Sequence, residues 1–263
     1  QRETRDRTAR ASAQAEGCRT TPAETPRNGG AGGCPNKGHG IRRPRAEREV
    51  RAGARRQLFY DEAVLARKPE PATLLEDRRR YSAWFKPHGL LAQGSQWGDH
   101  CSLLREAEVA LGRDCFLIHR LDADAAGLML IAHDSKAAGA LSKCFSGRAI
   151  TKHYQARVCG EITAQDRLID APIDDKEAIT RISTLSTNET DQTSLLQVSI
   201  ETGRKHQIRK HLAGIGHAII GDRLYGRPAQ EPLQLLAYFL EFDCPLERRR
   251  VKIRLPEPEY SLK

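Results

Sequence analysis

The sequence lacks long apolar runs. No stretch of 18 or more apolar residues occurs, which is the length at which a segment becomes a candidate membrane-spanning helix. We therefore expect no transmembrane segment and no membrane partner. The first residues, QRETRDRTARASAQAE, are charged and lack the apolar core of a secretory signal, so we expect no such signal there.

The sequence also lacks paired cysteines. Its seven cysteines are scattered and include no Cys-x-x-Cys pair. An odd, scattered set favours reduced thiols in a cytoplasmic protein over a disulfide framework. Three histidines lie close together, His206, His211 and His217, but their spacing fits no zinc template. We therefore expect no metal site.

Positive charge, in contrast, is in excess and is concentrated at one end. The chain has 263 residues and a formal net charge of +9, and residues 1–60 supply 14 Lys/Arg against 6 Asp/Glu. A basic arm on an almost neutral body favours a polyanionic partner, of which RNA or DNA is the usual one. A solvated tail that only aids solubility fits the composition equally well, so both interpretations stay open.

The chain divides into two regions by pattern. Residues 1–55 show no hydrophobic periodicity and include TPAETPRNGGAGGCPNKGHG, a Gly/Pro/polar stretch that cannot build a core. We predict a basic, disordered or poorly ordered arm there. Residues 56–263 alternate apolar and polar segments and are predicted to form one folded domain. A monomer is the expected state.

Within this domain, strand patterns outnumber helical ones. Helical spacing and C-terminal glycines predict three helices, in CSLLREAEVALGR, DSKAAGALSKCFSG and RKHQIRKHLAGIG. Strands are predicted in RRYSAWFKPHGLLAQGS, on both sides of the loop in CFLIHRLDADAAGLMLIAHDS, and in ITKHYQARVCGEI, SLLQVSIETG, LQLLAYFLEFDCP and RRRVKIRLP. Most strands are too close in sequence for regular βαβ crossovers. We therefore predict an α/β fold of the α+β type, with a mixed, largely antiparallel central sheet and flanking helices.

A charged cluster interrupts the two apolar runs of CFLIHRLDADAAGLMLIAHDS. It consists of His119, Arg120, Asp122 and Asp124. Asp122 follows a predicted strand, where loops carry functional groups on a rigid frame. A carboxylate near a core needs a cation or several donors, and Arg209 is a candidate partner. Each such residue also has an ordinary interpretation as a turn, a packed or a solvated side chain.

The order of several sequence blocks goes further than any single residue. HRLDADAAGL, KHYQARVCGEI, GRKHQIRKHLAGIG and GDRLYG follow WFKPHGLLAQGS. Together they resemble the ordered motifs of the RluA-type RNA pseudouridine synthases, over residues 72–255. The resemblance implies the pseudouridine synthase fold for the catalytic domain. It also implies isomerisation of a specific uridine to pseudouridine in structured RNA, either rRNA or tRNA, without a cofactor.

The resemblance implies functions for individual side chains. Asp122 would be the essential aspartate and act on the sugar, either as a nucleophile or as a base that removes the C2′ proton. Arg209 would pair with Asp122 and hold it ionised. Tyr154 would stack on the target base and take the C5 proton. Arg120 would fill the gap left by the flipped base, and His119 would orient the loop.

The start of the last predicted helix completes the expected RNA-binding set with Arg204, Lys205 and His206. The chain departs from the family pattern at Ala125–Ala126, where Thr-Ser is usual. Residues 1–55 also lack the pattern of the small RNA-binding module that many relatives carry upstream. A non-catalytic RNA-binding protein that retains the fold is therefore the alternative. A metal-dependent hydrolase that uses the histidines is a weaker one.

Overall fold

A computed structural model describes residues 69–94, 102–147, 149–227, 230–257, 260 and 262. Its helices are α1 (Leu103–Leu111), α2 (Ser135–Ser146) and α3 (Gln207–Gly214). Its strands are β1 (Thr73–Arg78), β2 (Tyr81–Lys86), β3 (Phe116–Leu117), β4 (Ala126–Ala132), β5 (Ile150–Cys159), β6 (Arg167–Ile169), β7 (Thr180–Asn188), β8 (Thr193–Ile200), β9 (Leu235–Cys244) and β10 (Arg249–Arg254). The predicted N-terminal arm and the first part of the predicted domain lie outside the described residues.

The three predicted helices are confirmed, and capping residues set the ends of the first two. The Ser102 side chain accepts a hydrogen bond from the Arg105 N–H at the start of α1, and Asp134 accepts one from Ala137 N–H at the start of α2. Gly112 ends α1 in the left-handed conformation, with φ 62°. A residue without a Cβ adopts that conformation at little steric cost.

The ten described strands form one sheet in the order β1-β2-β4-β9-β5-β8-β7-β6, with β10 paired to β9 and β3 to β4. Neighbouring strands are antiparallel except β4 and β9, which run parallel where Ala126–Gly127 meets Leu236–Ala237. The prediction of a mixed, largely antiparallel sheet is therefore confirmed. Strands β1, β6 and β7 were not predicted from the sequence.

The sheet has a hydrophobic core on each face. On one face Met129 of β4 packs in a cluster with residues of α1 and α3, and on the other Leu128 packs in a cluster with residues of α2. All residues of β4 are buried, which explains the continuous apolar run in the sequence. A strand covered on both faces provides a rigid support for the loop that precedes it.

Gly127 lies opposite Ala237 where β4 pairs with β9. Its φ is 132°, and a Cβ at this position would collide with the backbone of Ala237. Only glycine combines this conformation with such close approach. The parallel contact between the two strands therefore depends on this residue.

No helix in the described part of the chain is both long enough and apolar enough to cross a bilayer. The four cysteines that the structure describes, Cys115, Cys144, Cys159 and Cys244, are free thiols.

Candidate active site

Lys86 holds the loop between β3 and β4 in place by a hydrogen bond to the loop backbone. This side chain is fully buried at the end of β2. Its ammonium donates to three backbone carbonyl oxygens, those of Pro87 (3.0 Å), Leu90 (2.9 Å) and Ala123 (3.1 Å). The last of these acceptors belongs to the loop, so Lys86 connects it to the end of a core strand.

Two effects act in opposite directions on the charge of Lys86. Burial lowers the pKa of its ammonium to about 7, and the nearby carboxylates of Asp122 and Asp124 oppose that shift. The hydrogen-bond geometry adds a further argument, because three carbonyl acceptors match the three donors of an ammonium, whereas a neutral amine has two. The contacts therefore favour the charged form.

Asp122 lies in this loop and faces two residues at the start of α3. Its Oδ1 is 3.7 Å from Nε2 of His206, and its Oδ2 is 3.7 Å from Nη1 of Arg209. These distances are too long for good hydrogen bonds, so the contacts are mainly electrostatic. The Asp122 side chain is 25% exposed. The structure thus brings Asp122 and Arg209 together and leaves the carboxylate accessible.

The close partner of Arg209 is a different aspartate, Asp222. Nε and Nη2 of Arg209 each lie 2.7 Å from an oxygen of Asp222, and both side chains are almost completely buried. The Asp222 carboxylate also accepts the backbone N–H groups of Leu224 and Tyr225. Burial alone would raise the pKa of Asp222, but the hydrogen bond from Arg209 and those from the backbone lower it below its ordinary value. Arg209 therefore forms two ion pairs, and the predicted one with Asp122 is looser than the one with Asp222.

His206 has an unusual backbone for a histidine. It caps α3 in the left-handed conformation, with φ 55°, and its side chain makes no capping hydrogen bond. Its Nδ1 lies 2.9 Å from the hydroxyl of Tyr225, a ring that also lies 5.3 Å from the guanidinium carbon of Arg209. Burial lowers the pKa of His206, although Asp122 opposes that effect. The ring is therefore neutral at neutral pH. The fold keeps His206 in this strained backbone conformation, with its ring next to Asp122.

Tyr154 lies on β5, and its side chain is almost completely buried. The register between β5 and β9 shifts between His153 and Tyr154. Residues four apart on a regular strand share a face, but Ile150 lies in one core and Tyr154 in the other. The shift therefore turns Tyr154 to the face that also carries α3. Burial, and then the charge of Asp122, raise the pKa of the phenol, so it is neutral at neutral pH.

His119 connects the start of the loop to β4. Its Nε2 accepts the Leu130 N–H at 2.9 Å, and its ring stacks on Phe145 of α2 with 4.0 Å between ring centroids. Burial and the charge of Lys152 lower the pKa of His119 to about 3. A proton on Nε2 would remove the acceptor, so this contact requires the neutral ring. These two contacts are suited to a residue that orients the loop.

The remaining predicted residues differ in their contacts. Arg120 is exposed and lines two cavities, which meet at the loop. Lys205 is exposed and lines the larger of them. Arg204 lines the same cavity, but its Nε donates to the carbonyl oxygen of Glu177 at 2.8 Å, so it also holds a neighbouring loop.

The larger cavity has a volume of about 860 Å³, which is in the range of small-molecule sites. The loop, the C-terminal part of α2, strand β5 and the start of α3 contribute its walls. Asp122 is the one carboxylate among the described lining residues. The cations of its lining are Arg120, Lys143, Lys152, Arg204, Lys205 and Arg209. Such a lining is suited to a polyanionic ligand. The described residues contain no group of three or more metal-ligating side chains.

Sequence patterns missed several residues of this site. They are Lys86, Lys143, Lys152, Asp222 and Tyr225. Four of them lie inside the blocks WFKPHG, KHYQARV and GDRLYG. The sequence motifs therefore contained these residues but did not show that their side chains reach the site. Lys143 lies in the last turn of α2 and had no sequence signal for a site.

Comparisons with known proteins indicate the family of this chain. The family model of RNA pseudouridylate synthases matches residues 80–214. The chain is 35% identical over 168 residues to an uncharacterized RNA pseudouridine synthase of Aquifex aeolicus, covering 54% of this chain and 53% of that protein. It is 30% identical over 182 residues to the dual-specificity RNA pseudouridine synthase RluA of Vibrio parahaemolyticus, covering 61% and 73% respectively.

A solved structure supports the fold. The human RNA pseudouridylate synthase domain containing 1 superposes with a TM-score of 0.62 at 22% identity, covering 72% of this chain and 84% of that one. The chain spans about half the length of several curated relatives that it matches. The family match nevertheless extends from β2 to the end of α3 and includes Asp122, Tyr154, His206 and Arg209, whereas Asp222 and Tyr225 follow it. The chain therefore belongs to the RluA-type family of RNA pseudouridine synthases.

Proposed function

We propose that this protein isomerises a specific uridine to pseudouridine in structured rRNA or tRNA. One observation carries the proposal above others: a partly exposed carboxylate, Asp122, lies beside Arg209 and His206 in a cationic cavity that Tyr154 also lines. Family membership supports the reaction class. We further propose that the protein works as a cytoplasmic monomer with RNA as its partner and without a cofactor.

In this proposal Asp122 acts on the sugar of the target nucleotide. The reaction breaks the N1–C1′ bond, and the base then rejoins the sugar through C5. Asp122 either attacks C1′ or removes the C2′ proton, and both functions need an ionised carboxylate. Nη1 of Arg209 lies 3.7 Å from this carboxylate, so a fixed positive charge stands beside the group that acts on the sugar.

Tyr154 acts on the base. The isomerisation moves one proton, because C5 loses a proton and N1 gains one. A neutral phenol stacks on the uracil ring, and it can take the C5 proton only if its own proton leaves at the same time. Asp122 is the anion whose charge acts on this phenol, so we propose that it accepts the phenol proton and then passes that proton to N1, which leaves the carboxylate ionised for the next turnover.

Arg120 takes the place of the flipped base in the RNA stack. Extruding a paired uridine costs a few kcal/mol, and a side chain that fills the gap offsets part of that cost. Arg120 is suited to this because it is exposed and borders both cavities at the Asp122 loop. His119 holds the same loop through its contact with Leu130.

The test uses total RNA from a strain that lacks the protein, incubated with purified enzyme and mapped for new pseudouridines by chemical labelling. We expect wild-type protein to modify discrete uridines, and Asp122→Asn to bind the RNA but convert none. Asp124→Asn is the matched control, since Asp124 is an exposed carboxylate on the same loop. Turnover by Asp122→Asn would remove Asp122 from its proposed function. RNA binding without conversion by the wild type would favour the non-catalytic alternative.

A further inference from the structure

Lys152 differs from the other cations of the large cavity. It lies on β5 two residues before Tyr154 and lines the cavity, and its side chain is partly buried. The structure gives it no hydrogen bond and no ion pair with any described residue. It is therefore a partly desolvated ammonium without a counter-charge in the part of the chain that the structure describes.

The neighbouring basic residues with buried or half-buried side chains do have partners. Arg209 has the bidentate contact to Asp222, and Arg204 donates to the Glu177 carbonyl oxygen. Burial lowers the pKa of Lys152, and among the described residues no carboxylate acts on it to reverse that effect. Leaving an ammonium partly desolvated and unpaired costs free energy. Such a cost suggests that the side chain acts on something that enters the cavity.

The charge of Lys152 indicates the chemistry of that ligand. A full negative charge compensates for the desolvation of an ammonium far better than the dipole of a base carbonyl does. Asp122, the one carboxylate of the described lining, is already shared between His206 and Arg209. RNA presents a phosphate at every nucleotide, and lysine is a common phosphate ligand.

We propose that Lys152 binds a backbone phosphate of the nucleotide that enters the cavity. The assignment rests on the proposed function in one respect, that this nucleotide is the target uridine. Tyr154 then contacts the base while Lys152 holds the phosphate, and the ribose between them is positioned against Asp122. Two anchor points on one strand limit how the nucleotide can rotate, which is how binding energy fixes a reactive geometry.

The matched control is Lys143. It lines the same cavity but is exposed in the last turn of α2, where a cation also offsets the carbonyl end of the helix dipole. Lys143→Met therefore removes a positive charge from the same opening without removing the partly buried one. Lys152→Met removes the buried charge at similar side-chain length, and Lys152→Arg keeps it.

The experiment measures the dissociation constants of uridine, uridine 5′-monophosphate and uridine 3′-monophosphate by competition or calorimetry. We expect wild-type protein to bind one of the nucleotides roughly tenfold more tightly than uridine, as a charge-assisted hydrogen bond allows. Lys152→Met should abolish most of that preference and leave uridine binding unchanged. Lys152→Arg and Lys143→Met should retain it. Thermal unfolding of each variant checks that the fold is intact.

Two results overturn the assignment. One is a wild-type protein that binds neither nucleotide more tightly than uridine, including the case in which none of them binds. The other is an equal loss of uridine and nucleotide binding in Lys152→Met, which would mean that Lys152 only shapes the cavity. The proposed function is tested separately. If the protein shows a nucleotide preference that depends on Lys152 but forms no pseudouridine, the phosphate site is supported and the proposed isomerisation is contradicted.

Discussion

Arg209 contacts two aspartates, and replacing each by asparagine should separate folding from chemistry. Asp222→Asn leaves the guanidinium of Arg209, only 2% exposed, without its close counter-charge. Removing one partner of a buried pair costs roughly 3–5 kcal/mol. Asparagine keeps one carbonyl acceptor, so we expect the lower end, about 3 kcal/mol. For a domain of this size that corresponds to a fall in Tm of roughly 6–12 °C.

Asp122→Asn should have the opposite effects: little change in stability and a loss of activity. Its carboxylate is 25% exposed and lies 3.7 Å from Arg209 and from His206, so solvent screens both contacts. A long-distance pair with one partly exposed partner is closer to a surface pair, which contributes about 0–1 kcal/mol, than to a buried one. Arg209 also keeps both hydrogen bonds to Asp222 in this variant. We therefore expect a stability close to that of the wild type and no pseudouridine formation.

Urea unfolding followed by circular dichroism measures the stability, and pseudouridine mapping measures the activity. A double-mutant cycle adds the decisive control: in an Arg209→Met background, Asp222→Asn should cost much less, because no buried cation remains to be left unpaired. The reasoning is refuted if Asp122→Asn destabilises the protein as much as Asp222→Asn does. It is equally refuted if Asp222→Asn has the same cost with and without Arg209.

Three further predictions follow from the same contacts. Tyr154→Phe should preserve the fold and RNA binding but stall the loss of the C5 proton, so that an assay for the rearranged product shows a large fall in yield; a wild-type yield would make Tyr154 a packing residue. His119 has a folded pKa of about 3, below its unfolded value, so the unfolded chain takes up the proton first and stability falls as pH drops from about 6.5. His119→Gln should reduce that slope in urea titrations by up to ~1.4 kcal/mol per pH unit, and an unchanged slope would contradict the assignment. Deleting residues 1–55 should weaken RNA binding and flatten its dependence on salt, because phosphate contacts release counterions; an equal slope in filter-binding titrations would make the arm passive.

The elements that were predicted correctly have a local sequence pattern that is sufficient to identify them. Strand β4 is an uninterrupted apolar run because both of its faces are covered, and α2 carries its own N-cap at Asp134. Strand β1 has no such signal, since its side chains are mostly exposed and do not alternate. It is a strand because β2 pairs with it. Edge strands of this kind depend on tertiary pairing, which no local pattern shows.

The same limit applies to the site. The sequence indicated Arg209 as a candidate partner of Asp122, but it could not rank Asp122 against Asp222 as the partner of Arg209. The ranking depends on the turn after Asp222, where the N–H groups of Leu224 and Tyr225 hold the carboxylate beside Arg209. Likewise, the face on which Tyr154 lies depends on a register shift between β5 and β9. Both are consequences of strand and turn geometry between distant segments.

The departure from the family pattern at Ala125–Ala126 affects the core rather than the carboxylate. Both alanines are buried, with 3% and 1% exposure, and a hydroxyl at either position would need a partner in apolar surroundings. The loop does not depend on such a hydroxyl. His119 connects its start to the Leu130 N–H, Lys86 connects its middle to the end of β2, and the Ala125 N–H donates back to the Asp122 carbonyl oxygen. Because these contacts use backbone groups of the loop and of β4, the position of the Asp122 backbone is compatible with methyl groups at 125 and 126.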